Sequence, residues 1–300
     1  MSLRAKTKNS LIAYGFLTPW LIGFFGLVLG PMIASLYLSF THYNLLNAPQ
    51  WIGLENYKNM FFDDDNFWDS VHVTAKFVVL SVPTQLLSAL LVALLLKKGL
   101  KGIGIYRTIY YLPSLLGGSV AIAILWRNMF DSNGLVNSFL SLFGIEGKAW
   151  ISHPDYALYT LVILSIWQFG ASMIIFLAGL KQIPENLYEA AEIDGANKFQ
   201  SFIHITMPML SPVIFFNLVM EVIKSLQAFT SAYIISGGTG GPINSTLFYT
   251  LYLYQNGFSF FNMGYAAAMA WVLVLVLAII TGILFITSRY WVYYEDGGGK

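Results

Sequence analysis

The sequence contains no cysteine, which excludes disulfides, thiolate nucleophiles and zinc–thiolate sites together. Charge is nearly as scarce. Asp, Glu, Lys and Arg make up 10% of the 300 residues, against roughly a quarter in an average globular domain. The formal net charge is +1, and no basic cluster is interleaved with aromatics, so no nucleic-acid partner is expected. The four histidines, His42, His72, His153 and His204, stand far apart without HxxxH or HxH spacing, which argues against a histidine metal site. No G-x-x-x-x-G-K-S/T loop is present, so the chain has no backbone cradle of that kind for nucleotide phosphates.

Apolar residues, by contrast, make up 57% of the chain. A bilayer core about 30 Å thick needs roughly 20 apolar residues in helical form to cross it. Six segments meet that length with almost no internal charge: Leu11–Phe40, Val71–Leu96, Tyr106–Met129, Ala157–Leu180, Pro208–Ile235 and Gly264–Ser288. The expected class is therefore an all-α integral membrane protein with six transmembrane helices. The first run follows Arg4, Lys6 and Lys8 as a secretory signal would. It is far longer than the 7–15 apolar residues of such a signal, so it is expected to remain as an anchor.

Lys and Arg mark cytoplasmic loops. They concentrate in the tail at 1–10, after the second span (Lys97, Lys98, Lys101, Arg107), after the fourth (Lys181, Lys198) and in the tail at 289–300 (Arg289, Lys300). The alternate loops hold only Lys58, Arg127 and Lys148, and the loop at 41–70 carries Glu55, Asp63, Asp64, Asp65 and Asp69. Both termini are then expected in the cytoplasm, with the larger outer loops at 41–70 and 130–156. Prolines at 19, 31, 83, 113 and 212 fall inside spans and are expected to break or kink them. "SGGTGGPINST" at 236–246 reads as a flexible outer loop and a candidate gate. No internal repeat is evident.

Between the fourth and fifth spans lies a polar, helix-prone insert at 185–205. Pro184 suits a helix start, Glu185 suits the first turn, and Glu189, Glu192 and Asp194 add acidity. Leu187, Ala190 and Ala191 give a small apolar face, Gly195 permits a sharp turn, and a second short helix is expected over Lys198–Ile205 before Pro208 opens the fifth span. A membrane-surface helix would be rich in Lys and Arg rather than acidic. A helix–turn–helix knob that docks on another protein fits better.

The run "IPENLYEAAEIDGANKFQSFIHITMP", with Glu189-Ala190-Ala191, Gly195, Ile205 and Pro208, resembles the EAA motif of ATP-binding-cassette importer permeases. It resembles most the carbohydrate-importer permeases of the maltose and glycerol-phosphate type. "ILWRNMFDSNGLVN", "IWQFGASMIIFLAGLKQIP" and "YIISGGTGGP" fit that family in the same order, although the last carries extra glycines and the large outer insertion of the maltose system is absent. The resemblance implies a non-enzymatic subunit in a bacterial or archaeal cytoplasmic membrane. Its implied partners are a second homologous permease, two ATP-hydrolysing subunits that bind the ATP and Mg, an extracytoplasmic solute-binding protein, a carbohydrate and the lipid bilayer. It also implies that 185–205 is a coupling helix region, with Glu189, Ala190, Ala191, Asp194, Gly195, Ile205 and Pro208 engaged at the ATPase.

Polar groups inside spans are costly and therefore candidate site residues. Asn217, Glu221 and Ser225 recur every four residues on one face of the fifth span, Lys224 can pair with Glu221, and Gln227, Phe229 and Tyr233 continue nearby. Trp167 and Gln168 form an aromatic–amide pair on the fourth span, and Gln85 and Lys76 are weaker candidates on the second. Such a wall suits a sugar, with hydroxyls to bond and C–H faces to stack. The alternatives are that Glu221 and Lys224 form a structural pair, or that they relay ions in a secondary carrier.

Overall fold

The computed structural model describes residues 14–97, 99 and 102–293. The tail at 1–10 with Arg4, Lys6 and Lys8, the residues Lys98 and Lys101, and the end of the second tail with Lys300 lie outside the described residues. The fold is almost entirely helical. A two-residue antiparallel pair, β1 (Thr41–His42) with β2 (Gln50–Trp51), is the exception to the all-α expectation among the described residues. The chain divides into two compact units. One runs through Asp63 and takes in Leu253–Val274; the other is Asp64–Tyr252 with the segment from Leu275 onward.

In the first unit, α1 (Tyr14–Ser39) is continuous and apolar, with a π-turn over Phe24–Leu29. Pro31 lies just past that turn. Proline lacks an N–H, and its ring strikes the carbonyl four residues earlier, so a one-residue widening lets the helix pass without breaking. The Gly30 N–H accordingly donates to the Phe25 carbonyl. Helix α2 (Glu55–Phe62) is tied back to the end of α1, where Asn56 Nδ2 donates to the carbonyls of Ser39 (2.9 Å) and Thr41 (3.0 Å).

In the second unit, α3 (Asp65–Lys97) is a single helix of 33 residues that carries Pro83 without a break. The expected third span is two helices, α4 (Ile103–Leu116) and α5 (Val120–Met129), that meet at 99°. Pro113 was the expected break, but the chain turns at Gly117–Ser119, where extended Ser119 caps α5 through its side chain (Ile122 N to Ser119 Oγ, 3.3 Å). After α6 (Leu135–Ser141), the fourth span is also a pair, α7 (Pro154–Trp167) and α8 (Gly170–Gln182), bent by 41°. By length and composition, four helices can cross a membrane outright, and up to six spans result if each bent pair counts as one.

The insert is α9 (Glu185–Ile193), with Pro184 as its N-cap. The expected helix Lys198–Ile205 does not stop before Pro208. α10 (Lys198–Ser201) runs through a π-turn at Phe202–Thr206 directly into α11 (Met207–Leu226). The Met207 N–H donates to the Phe202 carbonyl, so Pro208 is accommodated by the same widening that admits Pro31. α11 ends at Leu226, short of the expected Ile235, and α12 (Thr230–Ile235) is separate. Beyond α13 (Tyr249–Tyr254), α14 (Met263–Ser288) closes the series.

The core of this unit sits where α3, α8 and α11 meet. Ala89 and Ala93, one turn apart, let α8 approach closely, and Met173, Phe176, Leu177, Leu180 and Leu210 fill the seam. Gly179 belongs to the same packing: a Cβ there would stand 2.8 Å from Val213 Cγ2.

The stretch at 236–246, expected to be flexible, is a closed turn. Gly238 N donates to the Tyr233 carbonyl at 2.7 Å and Thr246 N to the Gly240 carbonyl at 2.8 Å. Gly241 has φ +78, and a Cβ on it would lie 2.3 Å from Thr246 Oγ1. The glycines therefore permit tight packing here rather than slack.

Candidate functional site

A cavity of about 190 Å³ opens in the second unit between α7, α11, Phe77 of α3 and the turn at Gly117–Gly118. Its walls carry Gln168, Glu221, Lys224, Ser225 and Gln227, all expected, together with Ser165, Thr230, Ser231, Phe77 and Phe229. Asn217 and Trp167 are not in those walls. Asn217 is buried and its Nδ2 donates to the Val213 carbonyl one turn back on its own helix (3.0 Å). Trp167 packs on Trp126 with ring centroids 5.9 Å apart. Correct helical spacing put both residues near the site, but local hydrogen bonding and aromatic packing turned them away.

Glu221 organises the polar wall. It is 5% exposed, and its Oε1 accepts a 3.0 Å hydrogen bond from Ser172 Oγ on α8. Its Oε2 makes no hydrogen bond and lies 3.7 Å from Lys224 Nζ, whose side chain is half-exposed. The expected pair therefore exists, but with a hydroxyl from a neighbouring helix as third member. A carboxylate this buried is sustained by such partners. Higher in the same seam Ser81 and Ser225 approach at 3.5 Å, and Ser165 Oγ donates to Gln85 Oε1 at 3.1 Å. Gln85 thus touches the site through Ser165, while Lys76 lies over the Tyr159 ring instead, 5.4 Å from its centroid.

Gln168 occupies the bend between α7 and α8. Its Nε2 donates to the Gly117 carbonyl at 3.1 Å, so the two bent pairs meet at the cavity. A Cβ at 117 would stand 2.1 Å from Gln168 Cδ, so a larger residue there would displace the Gln168 side chain. Ser165, Gln168 and Ser172 share one helical face by their spacing of three and four. That spacing could have disclosed the two serines from the sequence; Gly117 gave no such signal.

At the insert, α9 ends on a glycine-dependent cap. Gly195 has φ +81, Gly195 N donates to the Glu192 carbonyl (3.0 Å) and Ala196 N to the Ala191 carbonyl (2.8 Å), the pair of bonds of a Schellman turn. No atom crowds Gly195, so the backbone angle alone demands glycine. Asn197 then caps α10 in a capping box with Gln200. Glu189, Ala190 and Asp194 are exposed, Ala191 is half-buried, and Ile205 and Pro208 are half-buried where the second arm enters the bundle. Ala191, Asp194, Gly195 and Ile205 line a groove of about 330 Å³ between the arms. The most exposed apolar side chains of the insert, Ile193 (86%) and Phe199 (70%), were not among the expected contact residues. Tyr188 faces inward instead, its hydroxyl 2.8 Å from Thr206 Oγ1 and 3.3 Å from Lys97 Nζ.

Residues 66–290 match the family of binding-protein-dependent transport system inner membrane components. The chain is 53% identical over 294 residues to a probable ABC transporter permease protein, YesP, of Bacillus subtilis (strain 168), covering 98% of this chain and 95% of that one. It is 37% identical to the lactose transport system permease protein LacF of Rhizobium radiobacter, over 76% of this chain and 78% of LacF. A chain in the crystal structure of a bacterial alginate ABC transporter, in complex with an alginate pentasaccharide-bound periplasmic protein, superposes with a TM-score of 0.82 at 24% identity. That match covers 96% of this chain and 97% of the other, and it establishes the likeness of fold. With three quarters of its length matched by the family and a relative at 53% identity, the chain belongs to the binding-protein-dependent transport system inner membrane components.

Proposed function

We propose that this chain is one of two permease halves of an ATP-driven carbohydrate importer, working by alternating access. The observation that carries this reading is the cavity, where Glu221, Lys224, Gln168, Ser225 and Gln227 stand beside the rings of Phe77 and Phe229. Hydrogen-bonding groups next to aromatic faces suit a ring of hydroxyls with C–H faces. The lactose-transport relative points the same way.

In this reading each bent pair is one span, giving six, with both termini and the insert in the cytoplasm, as the distribution of Lys and Arg supports. The insert is the coupling element. Glu189, Ala190, Ala191, Asp194 and Gly195 present its docking side to an ATP-hydrolysing partner that binds the ATP and Mg, while Ile205 and Pro208 lead its motion into α11. A second homologous permease completes the pathway and an extracytoplasmic solute-binding protein supplies the sugar.

Cells carrying the complete transporter are fed a defined mixture of neutral and acidic oligosaccharides, and the imported set is identified by mass spectrometry. Removal of the partner ATPase is expected to abolish import of that set. Import that survives the removal and follows a proton or sodium gradient would overturn the reading in favour of ion coupling through Glu221 and Lys224.

A further inference from the structure

The segment between the two bent pairs holds a feature that the transport pathway does not use. Leu135, Phe139 and Leu142 recur at i, i+4 and i+7 on α6 and just beyond it, and they are 69%, 61% and 79% exposed. Phe143 extends the patch, its ring edge-on to Phe139 at 5.2 Å. No charged residue occurs from 132 to 145. An apolar patch of this size, left uncovered, marks a contact surface.

The opposite side of α6 is wet. A polar groove of about 580 Å³ runs along it, lined by Ser132, Asn133, Asn137, Ser138, Ser141 and Lys148 among others. Asn137 fixes the helix between these two environments. Its Nδ2 donates to the Ser132 and Lys148 carbonyls (2.9 and 2.8 Å), and its Oδ1 accepts from Lys148 N (3.1 Å) and Trp150 Nε1 (2.7 Å). Gly134 holds the helix against the end of α5, since a Cβ there would lie 2.4 Å from the carbonyls of Asn128 and Met129. The contacts of Asn137 and Gly134 therefore fix which face of α6 points outward.

We infer that α6 lies in the headgroup–acyl boundary of the bilayer, with Leu135, Phe139, Leu142 and Phe143 directed into the acyl chains. Two observations favour lipid over a protein partner. The helix just before it, α5, also leaves apolar side chains uncovered, Ile124 and Leu125 among them. The residues joined to it through Asn137 are also those of a membrane interface: Trp150 packs on Tyr156 (5.8 Å), and Lys148 Nζ sits 4.6 Å from the Tyr156 ring and 3.1 Å from its hydroxyl. Trp, Tyr and a reaching Lys at headgroup level, beside a helix apolar on one side only, are the composition of an interfacial anchor. The leaflet is the outer one, which rests on the proposed orientation of the spans.

The natural absence of cysteine makes the test direct. Phe139→Cys and Ser141→Cys are labelled separately with bimane in the complete transporter. The complex carrying the unsubstituted chain supplies the background. Nanodiscs of phosphatidylcholine and phosphatidylglycerol are compared with discs in which the phosphatidylcholine is brominated at shallow or deep acyl positions. Shallow bromines are expected to quench the Phe139→Cys label roughly twofold or more and to leave the Ser141→Cys label unaffected. No quenching at Phe139→Cys, equal quenching at both sites, or shielding only after the solute-binding protein is added would overturn the proposal. Should Phe139→Cys fail to assemble, Phe143→Cys reports on the same face. An impermeant maleimide applied to spheroplasts reads the side separately. Reaction of Ser141→Cys from inside only would overturn the outer-leaflet assignment and the orientation, while lipid quenching at Phe139→Cys would still stand.

Discussion

The Tyr188 hydroxyl lies 2.8 Å from Thr206 Oγ1, joining the first arm of the insert to the π-turn through which the second arm enters the bundle. Lys97 Nζ, at the end of α3, reaches the same hydroxyl at 3.3 Å and lies 4.5 Å from the ring centroid. Three chain segments thus meet on one side chain, and under the proposed coupling role a push on the insert would reach α3 and α11 together. Tyr188→Phe removes the hydrogen bond but keeps the ring, and is expected to cost about 1 kcal/mol, seen as a drop of a few degrees in the melting midpoint. Tyr188→Ala also removes the packing. It should lower import severalfold with more ATP hydrolysed per solute, and an unchanged ratio in reconstituted vesicles would show that Tyr188 does not transmit the motion.

Gly195 is needed for its angle and not for space. Gly195→Val forces a β-branched residue to φ +81 and is expected to cost roughly 1–2 kcal/mol locally and to loosen the partner ATPase. Gly195→Asn, which tolerates the left-handed region, should retain most of the function. Co-purification of the ATPase with each variant separates them, and equal recovery would count against the cap as the reason for glycine.

The Ser172–Glu221 bond makes a prediction with a sign. Ser172→Ala leaves a buried carboxylate oxygen without its donor and is expected to cost about 1–3 kcal/mol. Glu221→Gln retains an acceptor for Ser172 and should be milder. In a double-mutant cycle, Ser172→Ala combined with Glu221→Leu should be less destabilising than the sum of the two single changes. Additivity in thermal unfolding would mean that the hydrogen bond contributes nothing.

Gly117→Ala drives a Cβ against Gln168, which must leave the Gly117 carbonyl. Import is expected to fall about tenfold, roughly the effect of 1.4 kcal/mol. Adding Gln168→Ala removes the clash, so thermal stability should return while import does not. Recovery of both would make Gln168 a packing residue rather than part of the site.

Ile193 and Phe199 project from the insert where a docking partner would meet them. Ile193→Asp and Phe199→Asp are expected to release the ATPase by at least tenfold in affinity, read by binding of the purified ATPase to the permease in nanodiscs. Stability of the permease itself should not change, because neither side chain is buried.

Much of this protein was legible in order of sequence. Apolar length disclosed the helices because a bilayer core imposes a minimum that soluble helices seldom reach. The run from Glu189 to Gly195 disclosed the insert, because a left-handed turn after a helix calls for glycine. The spacing of Glu221, Lys224 and Ser225 disclosed one wall of the cavity, since residues three and four apart share a helical face. Local and periodic properties of this kind are fixed by the chain alone.

What the tertiary structure decided concerns meetings between distant segments. Pro113 is a stronger helix breaker on paper than Gly117, yet the 99° turn comes at Gly117–Ser119, where Gln168 from the bend between α7 and α8 packs against Gly117. Pro31 and Pro208 do not end their helices because a π-turn before each absorbs the clash. Asn217 had the right spacing but satisfied itself on its own helix, whereas Ser172 entered the site because α8 packs against α11. Hydrogen bonds such as Ser172–Glu221 and Gln168–Gly117, across 49 and 51 residues, depend on packing geometry, which no periodicity within one segment encodes.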